Sequence, residues 1–209
     1  LEALTHPAWL YEYVRHGGLP VMRSWAPYAR DGASAQEVAG FFRSQSPTAI
    51  TWRDLEQFRR LWRGSLLVKG IMHPDDAIKC ARLGVDAIVV SNHGGKSLDR
   101  APTPVEVLPS IRAAVGRQVT ILLDSGVRRG SDIVVARCLG ADFVLVGRAT
   151  LYGVAAGGLD GARRALQILA EEIDLTLALI GCPNFADLDQ RFLSGAGEIS
   201  PHLGREAAE

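Results

Sequence analysis

Side chains that can take part in chemistry recur at regular intervals in the middle of the chain. Each of them directly follows or ends a short apolar run, and in chain order they are Lys69, Ser91-Asn92-His93, Asp124-Ser125-Gly126 and Gly147-Arg148. Cationic side chains can bind an anionic group, and a neutral imidazole near pH 7 is a suitable general base. The set therefore indicates a site that holds an anion and moves a proton, unless Lys69 and Arg148 merely cap strand ends at the surface.

The apolar runs before these side chains predict four buried β-strands, because they are short and rich in branched residues. The predicted strands cover residues 65–69, 87–91, 119–124 and 143–146, and helical patterns follow at roughly 74–83, 104–115, 131–139 and 160–180. This alternation predicts an α/β fold with a parallel sheet. In parallel barrels the active site lies at the carboxyl ends of the strands, so the reactive side chains should meet at one rim.

The first 60 residues have a different character. Aromatic residues lie among short polar breaks, one helix is predicted near 53–62, and no run reads as a strand. We therefore predict an irregular and helical segment over 1–63, four βα units with the chemical motifs over 64–182, and a C-terminal tail over 183–209.

Two glycine-containing loops predict a phosphate site. The first spans residues 124–132, where Gly126 and Gly130 permit close backbone approach and Ser131 is a candidate cap for the next helix. Helix N-terminal amides favour anions, and the second loop, 140–148, adds the guanidinium of Arg148. Two adjacent loops that share one phosphate are typical of the last two strands of a barrel. The alternative is two ordinary turns with surface arginines.

Composition narrows the function classes. Lys plus Arg equals Asp plus Glu at 23 each, which argues against a nucleic-acid partner. Cys80, Cys138 and Cys182 are widely spaced and include no CxxC pair, so neither a metal site nor a disulfide framework is predicted. A reducing compartment is the simplest interpretation, which predicts a cytoplasmic protein.

The stretch Ser91-Asn-His-Gly-Gly-Lys-Ser-Leu-Asp99, followed by Asp124-Ser-Gly-Val-Arg128 and Gly147-Arg-Ala-Thr-Leu-Tyr-Gly153, resembles the FMN-dependent 2-hydroxy acid dehydrogenase and oxidase family. The resemblance runs in order from about Leu4 to Cys182. It implies a TIM (β/α)8-type barrel of which this chain holds the last four βα units. It also implies FMN as cofactor and a small L-2-hydroxy acid as substrate, of the lactate or mandelate kind; the electron acceptor stays open.

The resemblance also implies roles for individual residues. Lys69 corresponds to a lysine beside the flavin ring, Ser91 to a flavin contact, and His93 to the histidine that takes the substrate proton and contacts the substrate. The ribityl and phosphate contacts correspond to Asp124, Gly126, Arg128, Gly147 and Arg148. Taken alone, His93 would be interpreted as a structural histidine, and it is the Ser91-Asn-His-Gly-Gly95 context that favours the catalytic role.

The sequence departs from the family in two respects. Lys96 stands where the family has a substrate-binding arginine; it keeps the charge but loses the planar two-point fork. Only four of eight βα units are visible, which is consistent with a fragment, a truncated gene product, or one half of a two-chain assembly. As partner we expect either further copies of the chain, in a homo-oligomer, or the missing N-terminal half. The alternatives are a catalytically silent half barrel that binds phosphate or a partner, and a different phosphate-binding barrel.

The segment from Leu4 to Tyr28 combines aromatic and basic residues. Aromatic rings with basic neighbours suit the headgroup region of a bilayer, and Thr5-His-Pro-Ala-Trp9 resembles the membrane-associated members of the family. We therefore expect this segment to meet the inner face of the membrane. The alternative is that Trp9, Tyr13 and Trp25 pack on the missing half barrel or on a neighbouring subunit.

Overall fold

The computed structural model describes residues 2–45 and 50–194. The chain divides into two compact units at Leu55 and Glu56. The divisions that we predict at residues 63 and 182 follow from the positions of sequence motifs. A division by compactness does not test them, so they stay predictions. The predicted tail is described only as far as residue 194, and the rest of it lies outside the described residues.

The first unit is helical. Helix α1 covers Pro7–Arg15 and α2 covers Ala35–Gln45, while α3, Trp52–Leu61, confirms the helix predicted near 53–62 and runs across the division. No strand occurs among the described residues before position 56, in agreement with the sequence. Neither α1 nor α2 was predicted, since both are short and mix polar and aromatic residues. Pro7 in the first turn of α1 is compatible with a helix start.

The second unit contains a four-stranded parallel sheet in the order β1-β2-β3-β4. Its elements are β1 (Leu67–Lys69), α4 (Pro74–Arg82), β2 (Ala87–Val90), α5 (Pro104–Val115), β3 (Thr120–Leu123), α6 (Gly130–Cys138), β4 (Phe143–Val144) and α7 (Arg148–Leu179). All four predicted strands are confirmed, and each is followed by its predicted helix. The last helix begins at Arg148 rather than near 160. Gly157 and Gly158 leave helical φ/ψ and divide α7 into two stretches, and only the second stretch corresponds to the predicted helix.

The core of this unit lies between the sheet and its helices. Ile88 and Ile121 from the sheet and Leu108 and Ile111 from α5 are fully buried. A second cluster joins α6 to the segment after α7 through Val134, Cys138, Cys182 and Leu188. All three cysteines are buried free thiols, and burial raises the pKa of Cys80 to about 11.

Asp86, which lies just before β2, links backbone and side-chain groups at the amino-terminal edge of the sheet. Asp86 Oδ2 accepts hydrogen bonds from the Leu66 amide at 2.8 Å and from Arg59 Nη1 at 3.0 Å. Arg59 also donates to the carbonyl of Gly84 at 3.3 Å. One carboxylate thus joins two neighbouring strands and the preceding arginine at the edge opposite the reactive side chains.

The same arrangement recurs before β4. Asp142 Oδ2 accepts from the Ile121 amide at 2.8 Å and from Arg112 Nη2, and Arg112 Nε donates to the Gly140 carbonyl at 2.8 Å. In parallel barrels the amino-terminal face serves stability rather than catalysis. The repeated Gly-x-Asp sequence therefore fixes the register of the strands that carry the site.

We expect Asp142→Ala to lower the free energy of unfolding by about 1–3 kcal/mol, because the Ile121 amide and the Arg112 guanidinium both lose their acceptor. Urea unfolding measures the change. Asp160→Ala is the matched control, since the Asp160 side chain is 88% exposed and pairs with Arg163; it should change stability by less than about 0.5 kcal/mol. Equal effects of the two substitutions would contradict a clamping role for Asp142.

Candidate functional site

A cleft of about 660 Å³ opens at the carboxyl ends of the strands. The residues predicted for the site line this cleft, namely Lys69, His93, Lys96, Asp124, Gly126, Arg128, Gly147 and Arg148. Ser91, the remaining predicted residue, is 3% exposed and lies behind the cleft, in contact with Lys69. The structure thus brings every predicted site residue to one place; their roles remain predictions.

Lys69, Ser91 and Asp124 form a polar cluster at the base of the cleft. Lys69 Nζ donates to Ser91 Oγ at 2.7 Å and forms an ion pair with Asp124. Partial burial raises the pKa of Asp124, but hydrogen bonds, from Lys69 first, outweigh it and hold this pKa below its ordinary value. The carboxylate therefore stays ionised and fixes the lysine ammonium at the end of β1.

His93 begins a 3-10 turn, His93–Gly95, directly after β2. Asn92 fixes the turn, because its Oδ1 accepts from the Gly95 amide at 3.0 Å and its Nδ2 donates to the Pro102 carbonyl at 3.2 Å. The imidazole of His93 is exposed toward the cleft and has no hydrogen-bond partner within residues 2–45 and 50–194. A proton acceptor at this position is accessible, and no carboxylate of the described chain orients it.

The arginines of the last two loops enter the same cleft. Both guanidinium groups are exposed, and in the described part of the chain that of Arg128 makes no ion pair. Arg148 Nη2 donates to the Gly94 carbonyl at 3.5 Å. A Cβ atom at position 94 would lie only 3.2 Å from the same nitrogen. No described side chain caps α7, whose first residues line the cleft. Its free amides and the two arginines suit an anion.

The predicted cap at Ser131 is wrong. Helix α6 begins at Gly130 with Arg129 as its N-cap residue. Asp132 Oδ2 accepts from the amides of Arg128 and Arg129 at 2.8 and 2.9 Å, so an acidic side chain inside the first turn satisfies them.

Glu172, on α7, completes this end of α6. Its Oε2 accepts from the Gly130 amide at 2.7 Å, and its Oε1 pairs with Arg129 Nη1 at 2.9 Å. These contacts lower the pKa of Glu172, the Gly130 hydrogen bond first. Two carboxylates thus satisfy amides at the start of α6, whereas the start of α7 has no side-chain cap among the described residues. Sequence reasoning missed Glu172, which lies 42 residues from Gly130; Asp132 could have been found as an acid in a first helical turn.

The charges of the cleft are unbalanced. Lys69, Lys96, Arg128 and Arg148 face a single carboxylate, that of Asp124. Among the described residues, no group of three or more His, Cys, Asp or Glu side chains is arranged to hold a metal ion. The geometry supports binding of an organic anion beside an exposed imidazole.

Comparison with known proteins identifies similar sequences and structures. The family described as FMN-dependent dehydrogenase matches residues 1–195. The (S)-mandelate dehydrogenase of Pseudomonas putida is 43% identical over 198 residues, which cover 94% of this chain and 49% of that protein. An L-lactate dehydrogenase of Serratia proteamaculans is 38% identical over 188 residues, covering 90% and 50% respectively.

Among solved structures, the monotopic membrane protein (S)-mandelate dehydrogenase aligns with a TM-score of 0.85 at 43% identity, over 90% of this chain and 49% of that chain. A mandelate oxidase aligns with a TM-score of 0.65 at 40% identity, over 68% and 43%. The chain therefore spans about half the length of the relatives that it matches.

The lowered pKa of Asp124 predicts a loss of stability in acid. Its contribution is complete above the ordinary pKa of 3.8 and is lost as the pH falls through the lower folded-state pKa. The difference in thermal stability between the native chain and Asp124→Asn should therefore be larger at about pH 6 than at about pH 3. Asp160→Asn, at an exposed site, is the control. A difference that does not change with pH would refute the ion-pair role of Asp124.

Proposed function

Because the chain belongs to the family of FMN-dependent dehydrogenases, we propose that it is the C-terminal, cofactor-binding half of an enzyme that oxidises a small L-2-hydroxy acid. The substrate is of the lactate or mandelate kind, and the product is the 2-oxo acid. The observation that carries this proposal is the convergence of His93, Lys69 and the two arginines Arg128 and Arg148 on one cleft.

The residues of the cleft fit FMN. A phosphate dianion is matched by the guanidinium groups of Arg128 and Arg148 and by the uncapped start of α7. At the other end of the cleft, the Lys69 ammonium, fixed by Ser91 and Asp124, favours negative charge on a ring system. Bound FMN would supply the two-electron redox chemistry.

His93 accepts the proton of the substrate at an imidazole nitrogen. The exposed ring reaches the cleft without competition from another hydrogen bond in the described chain, so a substrate hydroxyl has access to it. Lys96 lies in the same cleft and attracts the substrate carboxylate. A lysine acts as a point charge, so it orients a carboxylate less strictly than the paired contacts of an arginine.

A catalytically silent half barrel is the second candidate. Two observations favour it: no described carboxylate supports His93, and apolar side chains on the two outer strands are exposed, with Leu67 at 49% and Phe143 at 64%. In a complete barrel, the remaining strands would close the interior over such side chains. A partner that supplies four more βα units would complete the pocket.

We also propose that residues 4–28 meet a membrane surface. Trp9 stacks on Tyr13 with ring centroids 5.1 Å apart and is 55% exposed, and Tyr11 and Val14 on the same helix are exposed. The similar (S)-mandelate dehydrogenase is a monotopic membrane protein. None of the helices in the described ranges is both long and apolar enough to cross a bilayer.

Trp25 behaves differently from Trp9. Its ring packs edge-on against Phe42 with centroids 5.0 Å apart and also contacts Phe41, so it helps to hold α2. For Trp25, packing within the first unit therefore explains the aromatic residue without a membrane.

Arg128→Ala and Arg148→Ala should each weaken FMN binding by about 1.5–3 kcal/mol, because each removes a charged contact to phosphate. Titration followed by flavin fluorescence measures the dissociation constant. Riboflavin, which lacks the phosphate, should bind both variants as it binds the native chain. Arg163→Ala is the control, since Arg163 is exposed and pairs with Asp160 outside the cleft. Unchanged FMN affinity in both variants would reject the phosphate assignment.

The 209-residue chain alone should be an inefficient enzyme, because no carboxylate in its described part stabilises the imidazolium form of His93. Stopped-flow absorbance of the FMN-loaded chain mixed with lactate or mandelate should show flavin reduction slower than about 1 s⁻¹. Faster reduction would show that this half is sufficient for the reaction.

Trp9→Ala should reduce co-sedimentation with anionic liposomes at low salt, where basic contacts are strongest. Trp62→Ala is the matched control, because Trp62 is 58% exposed but lies outside residues 4–28. If the native chain stays in the supernatant, or if both substitutions act equally, the proposed membrane contact is wrong.

A further inference from the structure

The peptide groups of Gly94, next to His93, are held from two sides. Ser125 Oγ accepts a hydrogen bond from the Gly94 amide at 2.8 Å. Arg148 Nη2 donates to the Gly94 carbonyl at 3.5 Å. The loop after β3 and the first residue of α7 therefore both contact the loop that carries the histidine.

The backbone on both sides of this contact is strained. His93 has φ 57° and Ser125 has φ 73°, and they are the only non-glycine residues with positive φ in the described chain. A side chain with a Cβ is disfavoured in this region, and such a conformation persists only where its surroundings hold it. Ser125, one of the two strained residues, accepts from the amide of Gly94, which directly follows the other, His93. This placement at a cleft points to a functional arrangement rather than to a tolerated turn.

The Ser125 hydroxyl is oriented for this contact. Its hydrogen is donated to Asp124 Oδ1 at 2.8 Å, which leaves an oxygen lone pair for the Gly94 amide. The other oxygen of Asp124 pairs with Lys69. The histidine loop is thus connected through Ser125 to the ion pair at the base of the cleft.

We propose that Ser125 is a positioning residue for His93: it holds the Gly94 peptide and thereby keeps the strained His93 backbone in the conformation that presents the imidazole to the cleft. The value of this position to catalysis rests on the proposed function, in which His93 takes the substrate proton. The structural part of the inference stands on the Ser125–Gly94 contact alone.

The test compares two substitutions in the full chain. Ser125→Ala removes the hydroxyl and keeps the Cβ, whereas Ser125→Gly removes the hydroxyl and also relieves the strain at positive φ. Ser110→Ala is the matched control, because Ser110 Oγ donates to the Val107 carbonyl at 2.8 Å on the exposed side of α5, away from the cleft.

NMR hydrogen exchange at the Gly94 amide and the coupling constant that reports φ of His93 are the readouts. In both Ser125 variants, exchange at Gly94 should be faster by about tenfold or more, and the His93 coupling should move toward an averaged value. Ser110→Ala should leave both unchanged. Urea unfolding separates this effect from a general loss of stability: Ser125→Gly should be at least as stable as Ser125→Ala and yet show equally fast exchange at Gly94.

Retention of native exchange at Gly94 and of the native His93 coupling in both Ser125 variants would overturn the inference. FMN titration of the same samples is read independently. A native chain that binds no FMN would count against the proposed function, while the Gly94 and His93 measurements would still decide whether Ser125 positions the loop.

Discussion

The carboxylate of Asp124 is the group through which the loops of the site are connected. One oxygen pairs with Lys69 after β1, and the other accepts from Ser125, whose oxygen in turn holds the loop after β2. A partly exposed ion pair of this kind adds about 0–1 kcal/mol to stability. Its larger effect is geometric, because it fixes the end of β1, the loop after β3 and, through Ser125, the loop after β2 relative to one another. The aspartate clamps at the opposite edge of the sheet make this possible by fixing the strands from which those loops emerge.

The sequence predicted the parts of the structure that depend on local patterns. Branched apolar runs located all four strands, and the reactive residues at their ends met at one rim, because the carboxyl ends of parallel strands share an edge. The parts that it missed depend on contacts between distant residues. Glu172 on α7 accepts a hydrogen bond from the Gly130 amide at the start of α6, and no sequence pattern near Gly130 predicts this contact. Ser131 therefore looked like the best cap, although two carboxylates take that place. Trp25 is a second example. The sequence shows an aromatic residue among basic ones, but it does not show that the Trp25 ring packs on Phe42.

Free sheet edges have consequences for the chemistry. Leu67 on β1 and Phe143 on β4 are exposed although their strands are the walls of the cleft. The chain spans about half the length of its relatives, and within its described part no carboxylate orients the imidazole of His93. Under the proposed function, cofactor binding and catalysis therefore place different demands on this chain. The proposed phosphate contacts and the lysine lie within its described part, whereas no described carboxylate supports His93.

The N-termini of α6 and α7 differ in how their backbone amides are satisfied. Both helices begin at the rim of the cleft, and either N-terminus would attract an anion. Asp132 and Glu172 already satisfy the start of α6, so an incoming phosphate gains little from those amides. What remains is the uncapped start of α7 with Arg148, and Arg128, whose backbone amide is fixed by Asp132 while its side chain stays free for the cleft. The acids that close α6 thus hold in place the loop that presents Arg128. Under the proposed function, the phosphate is therefore recognised mainly by the guanidinium groups of Arg128 and Arg148, which enter one cleft.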